Sequence, residues 1–171
     1  MTPHPRNAAG GFTLIEAMMA ITVMAILMAI AVPSFNNASL SSQLRASAND
    51  LAATAYLARG EALKRNAVIT LCMSADGETC AASGGWEQGW ILLSGNPDID
   101  PLRAQPAAPT GQRITAGGVT SLSFQPTAVG ATTATFTVCR ATPSVGREER
   151  VVTIDATGRP WIKRTTNASC S

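Results

Sequence analysis

The sequence predicts an α+β fold: one long N-terminal helix, its first half membrane-spanning and its second half amphipathic, packed on an antiparallel β-sheet or small sandwich. Three observations predict it. The run from Phe12 to Val32 is apolar and carries a single charged residue, Glu16. Beyond it Leu40, Leu44, Leu51, Ala55, Ala58 and Ala62 recur at three-, four- and seven-residue steps, the spacing of one helix face. From Val68 onward, short β-branched segments alternate with turn residues, the pattern of strands.

The chain has 171 residues, enough for one domain with a core in addition to an anchor. Its net charge is +2 and only 14% of residues are charged, so no global charge imbalance selects a partner. The only histidine, His4, precedes the apolar run, which disfavours histidine-based catalysis or metal binding in the rest of the chain. No Gly-x-Ser-x-Gly, phosphate loop or Cys-x-x-Cys pair occurs, and the sequence predicts neither an enzyme nor a cofactor.

Residues 1–11 are short and polar, with Arg6 as their formal side-chain charge. An ordinary secretory signal has a shorter apolar run with the cut after it. Here the apolar run holds about 21 residues, which at roughly 1.5 Å each spans the roughly 30 Å of a bilayer core. The positive leader favours the cytoplasmic side, with the chain beyond residue 34 outside. The interior of the run mixes Ala, Met and Ile, residues that allow close helix approach and fill irregular gaps. A carboxylate in this position costs roughly 2.5–3.5 kcal/mol on insertion scales, so Glu16 calls for a partner.

Pro33 lacks a backbone donor and disturbs the preceding turn without having to end the helix. The helix is expected to continue to about Arg65. The expected segments are therefore a leader at 1–11, a membrane helix at 12–33, its amphipathic continuation at 34–66 and a β-rich domain at 67–171.

Strands are expected at 68–74, 90–94, 114–115, 119–126, 134–140, 150–155 and 160–165, with turns at 76–80 and 156–159. The proline-rich stretch from Gly95 to Thr110 reads as a long surface loop. Within it Asn96, Asp98 and Asp100 alternate oxygen-bearing side chains. The stretch lacks the glycine and distal glutamate of an EF-hand loop, and no metal is assigned. Trp90 reads as core and Trp86 as a partial cover on a sheet edge.

The four cysteines, Cys72, Cys80, Cys139 and Cys170, allow three pairings. The favoured set joins Cys72 to Cys80, closing a short loop between strands, and Cys139 to Cys170, stapling the tail to a strand. Both fit an oxidising compartment.

Two resemblances add to this reading. Gly11-Phe12-Thr13-Leu14-Ile15-Glu16 resembles the class III signal of type IV pilins and type II secretion pseudopilins. That resemblance implies cleavage between Gly11 and Phe12 by a prepilin peptidase, N-methylation of Phe12, and an assembly role for Glu16 opposite a Phe12 amine. It also implies a proline kink at Pro33, a pilin-like fold, other pilins or pseudopilins, an inner-membrane assembly platform and membrane lipid as partners, and a C-terminal domain in the periplasm. Further on, Leu71-Cys72, Cys80, Gly85-Trp86-Glu87-Gln88-Gly89-Trp90-Ile91 and the ending Val151 to Arg159 resemble the GspH/FimT group of minor pilins and pseudopilins. FimT-like DNA receptors carry a terminal Gly-Arg-x-Arg motif; Gly158-Arg159 match it, and Trp161 stands in place of the second arginine. With Trp161 for base stacking, Arg159, Lys163 and Arg164 are the candidate DNA contacts.

Overall fold

In the computed structural model the described residues are 12–95, 101–127, 129–167 and 170. Gly11 with the rest of the leader, and Asn96, Asp98 and Asp100, lie outside them. The chain divides into two compact units, one ending at Ala38 and the other beginning at Ser39.

Helix α1 runs Leu14–Arg65 over 52 residues. Its start is set by Thr13, whose Oγ1 accepts the Glu16 N–H at 3.3 Å. This is the N-cap half of a capping box, Thr-x-x-Glu, which satisfies one otherwise orphaned helix N–H. The helix continues through Pro33. Its end combines Lys64 and Arg65, favourable at the negative pole of the helix dipole, with Asn66 at φ 51°. Both basic residues also pair with Glu61, and Arg65 first among the causes holds the Glu61 carboxyl below its ordinary value.

In the unit from Ser39 on, Leu44, Ala48, Leu51, Ala55, Ala58 and Ala62 are fully buried, so the predicted apolar face is the face that packs. Its alanines leave room for strands to lie close. Two four-stranded antiparallel sheets cover it. The first holds β1 (Ile69–Met73), β2 (Trp90–Ser94), β3 (Arg103–Gln105) and β5 (Ser121–Phe124), in the order β3-β2-β1-β5. The second holds β4 (Gln112–Thr115), β6 (Ala134–Arg140), β7 (Glu149–Ile154) and β8 (Pro160–Thr165), in the order β4-β6-β7-β8. Side-chain alternation sends Ile69, Leu71, Met73, Leu92, Leu122 and Phe124 from the first sheet, and Ile114, Phe136, Val138, Val152 and Ile154 from the second, into one shared core.

On the opposite face of the first sheet Cys72 and Ile91 are register partners, and both are buried beside the disulfide from Cys72 to Cys80. The second disulfide joins Cys139 of β6 to Cys170, with the same Cα–Cα separation of 5.6 Å.

Three expectations need correction. The stretch 95–110 contains a strand, β3, pairing with β2 through Trp90, Ile91 and Leu92. It is three residues long between Pro101 and Pro106, too short to show an alternating pattern. The segment expected as a strand at 119–126 is β5, confined to Ser121–Phe124. Trp86 is no edge cover: it is 2% exposed, in a 3-10 turn Trp86–Gln88. Its indole N–H donates to the Val119 carbonyl at 2.7 Å, and its ring meets Phe136 edge-on at 4.9 Å.

Candidate functional site

The first candidate region is the N-terminal unit. From Phe12 to Ser39 every residue is exposed, including Leu14, Ile15, Met18, Met19, Ile21, Met24, Ile26, Leu27 and Ile30. A helix this apolar is stable in water only when covered, and α1 contains a span long and apolar enough to cross a membrane. Phe12 is 85% exposed and precedes the capping Thr13; Glu16 sits in the first helical turn. Pro33 is exposed on the same unit, inside the helix.

The second candidate region is the β7–β8 hairpin. Its turn is organised by Asp155, whose Oδ1 accepts the N–H groups of Thr157 at 2.8 Å and Arg159 at 3.1 Å, and the Thr157 hydroxyl. The Thr157 hydroxyl, then the Arg159 N–H, hold the Asp155 carboxyl below its ordinary value. Gly158 has φ 73°, and a Cβ there would lie 3.0 Å from the Phe124 ring, so only glycine fits this close turn. The turn therefore fixes Arg159, which is exposed.

Along β8 the three basic candidates separate. Trp161 and Lys163 pair with Thr153 and Val151 and share the outer face of the sheet with them. Arg164 pairs with Arg150 on the other face, and its Nη2 lies 3.3 Å from Glu148 Oε2. Glu148 also holds Arg150 through its other oxygen, Oε1, which accepts the Ser41 hydroxyl at 2.7 Å. Burial pushes the Glu148 carboxyl up, but hydrogen bonds from Ser41 and Arg150 together with the nearby guanidinium charges outweigh it and hold it low. Arg159, Trp161 and Lys163 thus lie exposed and away from Glu148, while Arg164, its side chain 67% exposed, reaches toward that carboxylate.

Glu148 and Tyr56 were not singled out by the sequence. Tyr56 donates its hydroxyl to the Pro160 carbonyl at 3.2 Å, joining α1 to β8. Both contacts bridge more than a hundred positions, and no local pattern announces them. Among the described residues no cluster of His, Cys, Asp or Glu is arranged to hold a metal.

Residues 47–158 match the family described as type II transport protein GspH. The chain belongs to the GspH family. Residues 6–32 of this GspH-family chain also match the prokaryotic N-terminal methylation motif. Its fold is similar to that of the type IV minor pilin FimU of Pseudomonas aeruginosa, at 22% identity and a TM-score of 0.57, covering 74% of this chain and 96% of the crystallised one. It is also similar to the minor pseudopilin EpsH from the type 2 secretion system of Vibrio cholerae, at 14% identity and a TM-score of 0.51, covering 71% and 96%. No curated protein matches the sequence. The GspH-family chain thus joins a type II transport protein domain and an N-terminal methylation motif on a fold shared with a minor pilin and a minor pseudopilin.

Proposed function

We propose that the protein is stored in the bacterial inner membrane as a single-pass subunit with its β-rich domain in the periplasm. It is cut between Gly11 and Phe12 by a prepilin peptidase, N-methylated on Phe12, and drawn by an inner-membrane platform into a filament of other pilins or pseudopilins. The observation that carries this is the coincidence of the methylation motif at 6–32 with an apolar helical segment exposed from its start to Ser39. Lipid covers that helix first and neighbouring helices cover it later. Each large side chain so covered contributes about 1.5–3 kcal/mol, enough in sum to hold a subunit in either setting.

Cleavage creates an amine at Phe12, one helical turn from Glu16. Pairing of that amine, on the same or a neighbouring subunit, with the Glu16 carboxylate offsets the cost of holding either charge in an apolar environment. Pro33 relaxes the helix where it passes from lipid to the periplasmic continuation. The test is Glu16→Ala in the native host. The variant is expected to fold and be cleaved but to be lost from sheared filaments. Incorporation at the wild-type level refutes the role of Glu16.

A second reading, DNA contact during uptake, is favoured by the exposure of Arg159, Trp161 and Lys163 on one hairpin. A base stacked on Trp161 would contribute about 1–3 kcal/mol, and the cations a salt-dependent share. Mobility shifts of single-stranded DNA by the full chain in nanodiscs should weaken with Arg159→Ala and Lys163→Ala, and less with Arg164→Ala, whose guanidinium is held by Glu148. No shift at low salt refutes this reading.

A further inference from the structure

The two sheets have four edges, and they are not equally open. At β4, the outward Ile114 N–H donates to Glu87 Oε2 at 3.1 Å. At β5, Ser123 donates its N–H to Thr132 Oγ1 at 3.1 Å and accepts the Thr132 N–H at 3.0 Å. β3 is three residues long. β8 is six residues long and differs from all of these.

The hydrogen-bond phase of β8 follows from its turn. The Asp155 N–H donates to the Arg159 carbonyl, so Asp155 and Arg159 are a bonded pair. By alternation Trp161, Lys163 and Thr165 bond to β7, while Pro160, Ile162 and Arg164 aim their backbone groups away from the sheet. Pro160 stands at one of these outward positions, where its missing N–H costs the ladder nothing. Its carbonyl takes the Tyr56 hydroxyl. The outward N–H and C=O of Ile162 and Arg164 have no backbone or side-chain partner among the described residues.

Charge selects what fits there. From Ala156 to Thr165 the chain carries Arg159, Lys163 and Arg164 and no acidic residue. A second copy of β8 laid antiparallel would set cation against cation, which is unfavourable in a cross-strand pair. An acidic strand meets the opposite situation, with carboxylates beside Lys163 on the outer face and an apolar residue opposite Ile162, itself 37% exposed.

We propose that the free edge of β8, at Ile162 and Arg164, receives an extended acidic segment of a neighbouring filament subunit by strand addition. This rests on the filament-subunit reading above and gives that reading a specific lateral contact. The added strand makes about four main-chain hydrogen bonds, two at each outward residue. The Glu148 and Tyr56 contacts hold the receiving strand to α1, so the edge is pre-formed and little ordering is needed on this side.

The test is amide hydrogen exchange on the full chain in nanodiscs, with a seven-residue peptide alternating glutamate and valine as the probe. At about ten times the peptide's Kd, exchange at Ile162 and Arg164 should slow about tenfold, while the amides of Trp161 and Lys163, already in the ladder, stay as they were. Ile162→Pro removes an outward donor without touching the β7–β8 ladder. It should keep the thermal midpoint and weaken peptide binding about tenfold. Absence of protection by the acidic peptide overturns the proposal. So does equal protection by a lysine–valine peptide, which mimics a second copy, and so does protection of the same amides by a single-stranded oligonucleotide alone. In filaments, loss of Glu16→Ala with full retention of Ile162→Pro overturns the docking strand and leaves the subunit reading standing. Absence of the wild-type chain itself from sheared filaments overturns the subunit reading.

Discussion

Trp86 is the residue at which the two sheets are joined, and its contribution can be isolated. It sits in the turn before β2, yet its indole N–H reaches Val119, between β4 and β5, and its ring meets Phe136 of β6 at an interplanar angle of 87°. Trp86→Phe removes the donor to the half-buried Val119 carbonyl, a cost of about 1–1.5 kcal/mol, besides the void left by the smaller ring. Trp90→Phe is the internal control. Trp90 is equally buried and loses the same volume, but its N–H lies 3.3 Å from a Thr54 hydroxyl that already donates to the Asp50 carbonyl. That longer bond is worth about 0.5–1 kcal/mol. The difference between the two variants therefore compares the two bonds with the ring-size term cancelled, and should be about 0.5 kcal/mol in favour of Trp90→Phe. Urea unfolding of the full chain in detergent, followed by near-UV circular dichroism, supplies both values. If Trp86→Phe falls within about 0.5 kcal/mol of wild type, or Trp90→Phe costs more, the assigned bridge between the sheets is wrong.

Two further outcomes follow from the unit beginning at Ser39. Because the folded Glu148 carboxyl is held below its ordinary value, its network stabilises the fold fully above the unfolded value of about 4.3 and loses that contribution as pH falls through the lower folded value. Glu148→Gln should cost about 1–2 kcal/mol at pH 7, measured by urea unfolding, and nothing below the folded value, where the wild-type carboxyl is itself neutral. Removing the Cys139–Cys170 bridge, which spans 31 residues, should cost about 3–4 kcal/mol by loop closure. Removing the Cys72–Cys80 bridge, which spans 8, should cost about 2–3 kcal/mol; denaturation of the paired serine variants gives the order.

What was legible in the sequence was what repeats at a fixed period. The apolar run and the Leu44 to Ala62 face specify α1 because helical spacing leaves one solution. Strands β6, β7 and β8 were legible because each holds six or seven residues with turn residues between. β3 was hidden because three residues between prolines show no period. Trp86 was misplaced because its partners, Val119 and Phe136, lie on distant strands and nothing local distinguishes a buried tryptophan from a surface one. The same reason hid Glu148. Arg159, Lys163 and Arg164 looked like one basic patch because sequence adjacency was read without strand alternation. In the fold Arg164 turns to the other face and meets Glu148.

Membrane storage and assembly as proposed both require Phe12 to become the first residue of the subunit. Intact-mass and N-terminal fragment spectra of the protein purified from the native membrane read this directly. The expected result is a chain beginning at Phe12 with a single methyl group on its amine, and the uncut chain when the prepilin peptidase is deleted. A membrane form that keeps residues 1–11, or one cut beyond Val32, contradicts it.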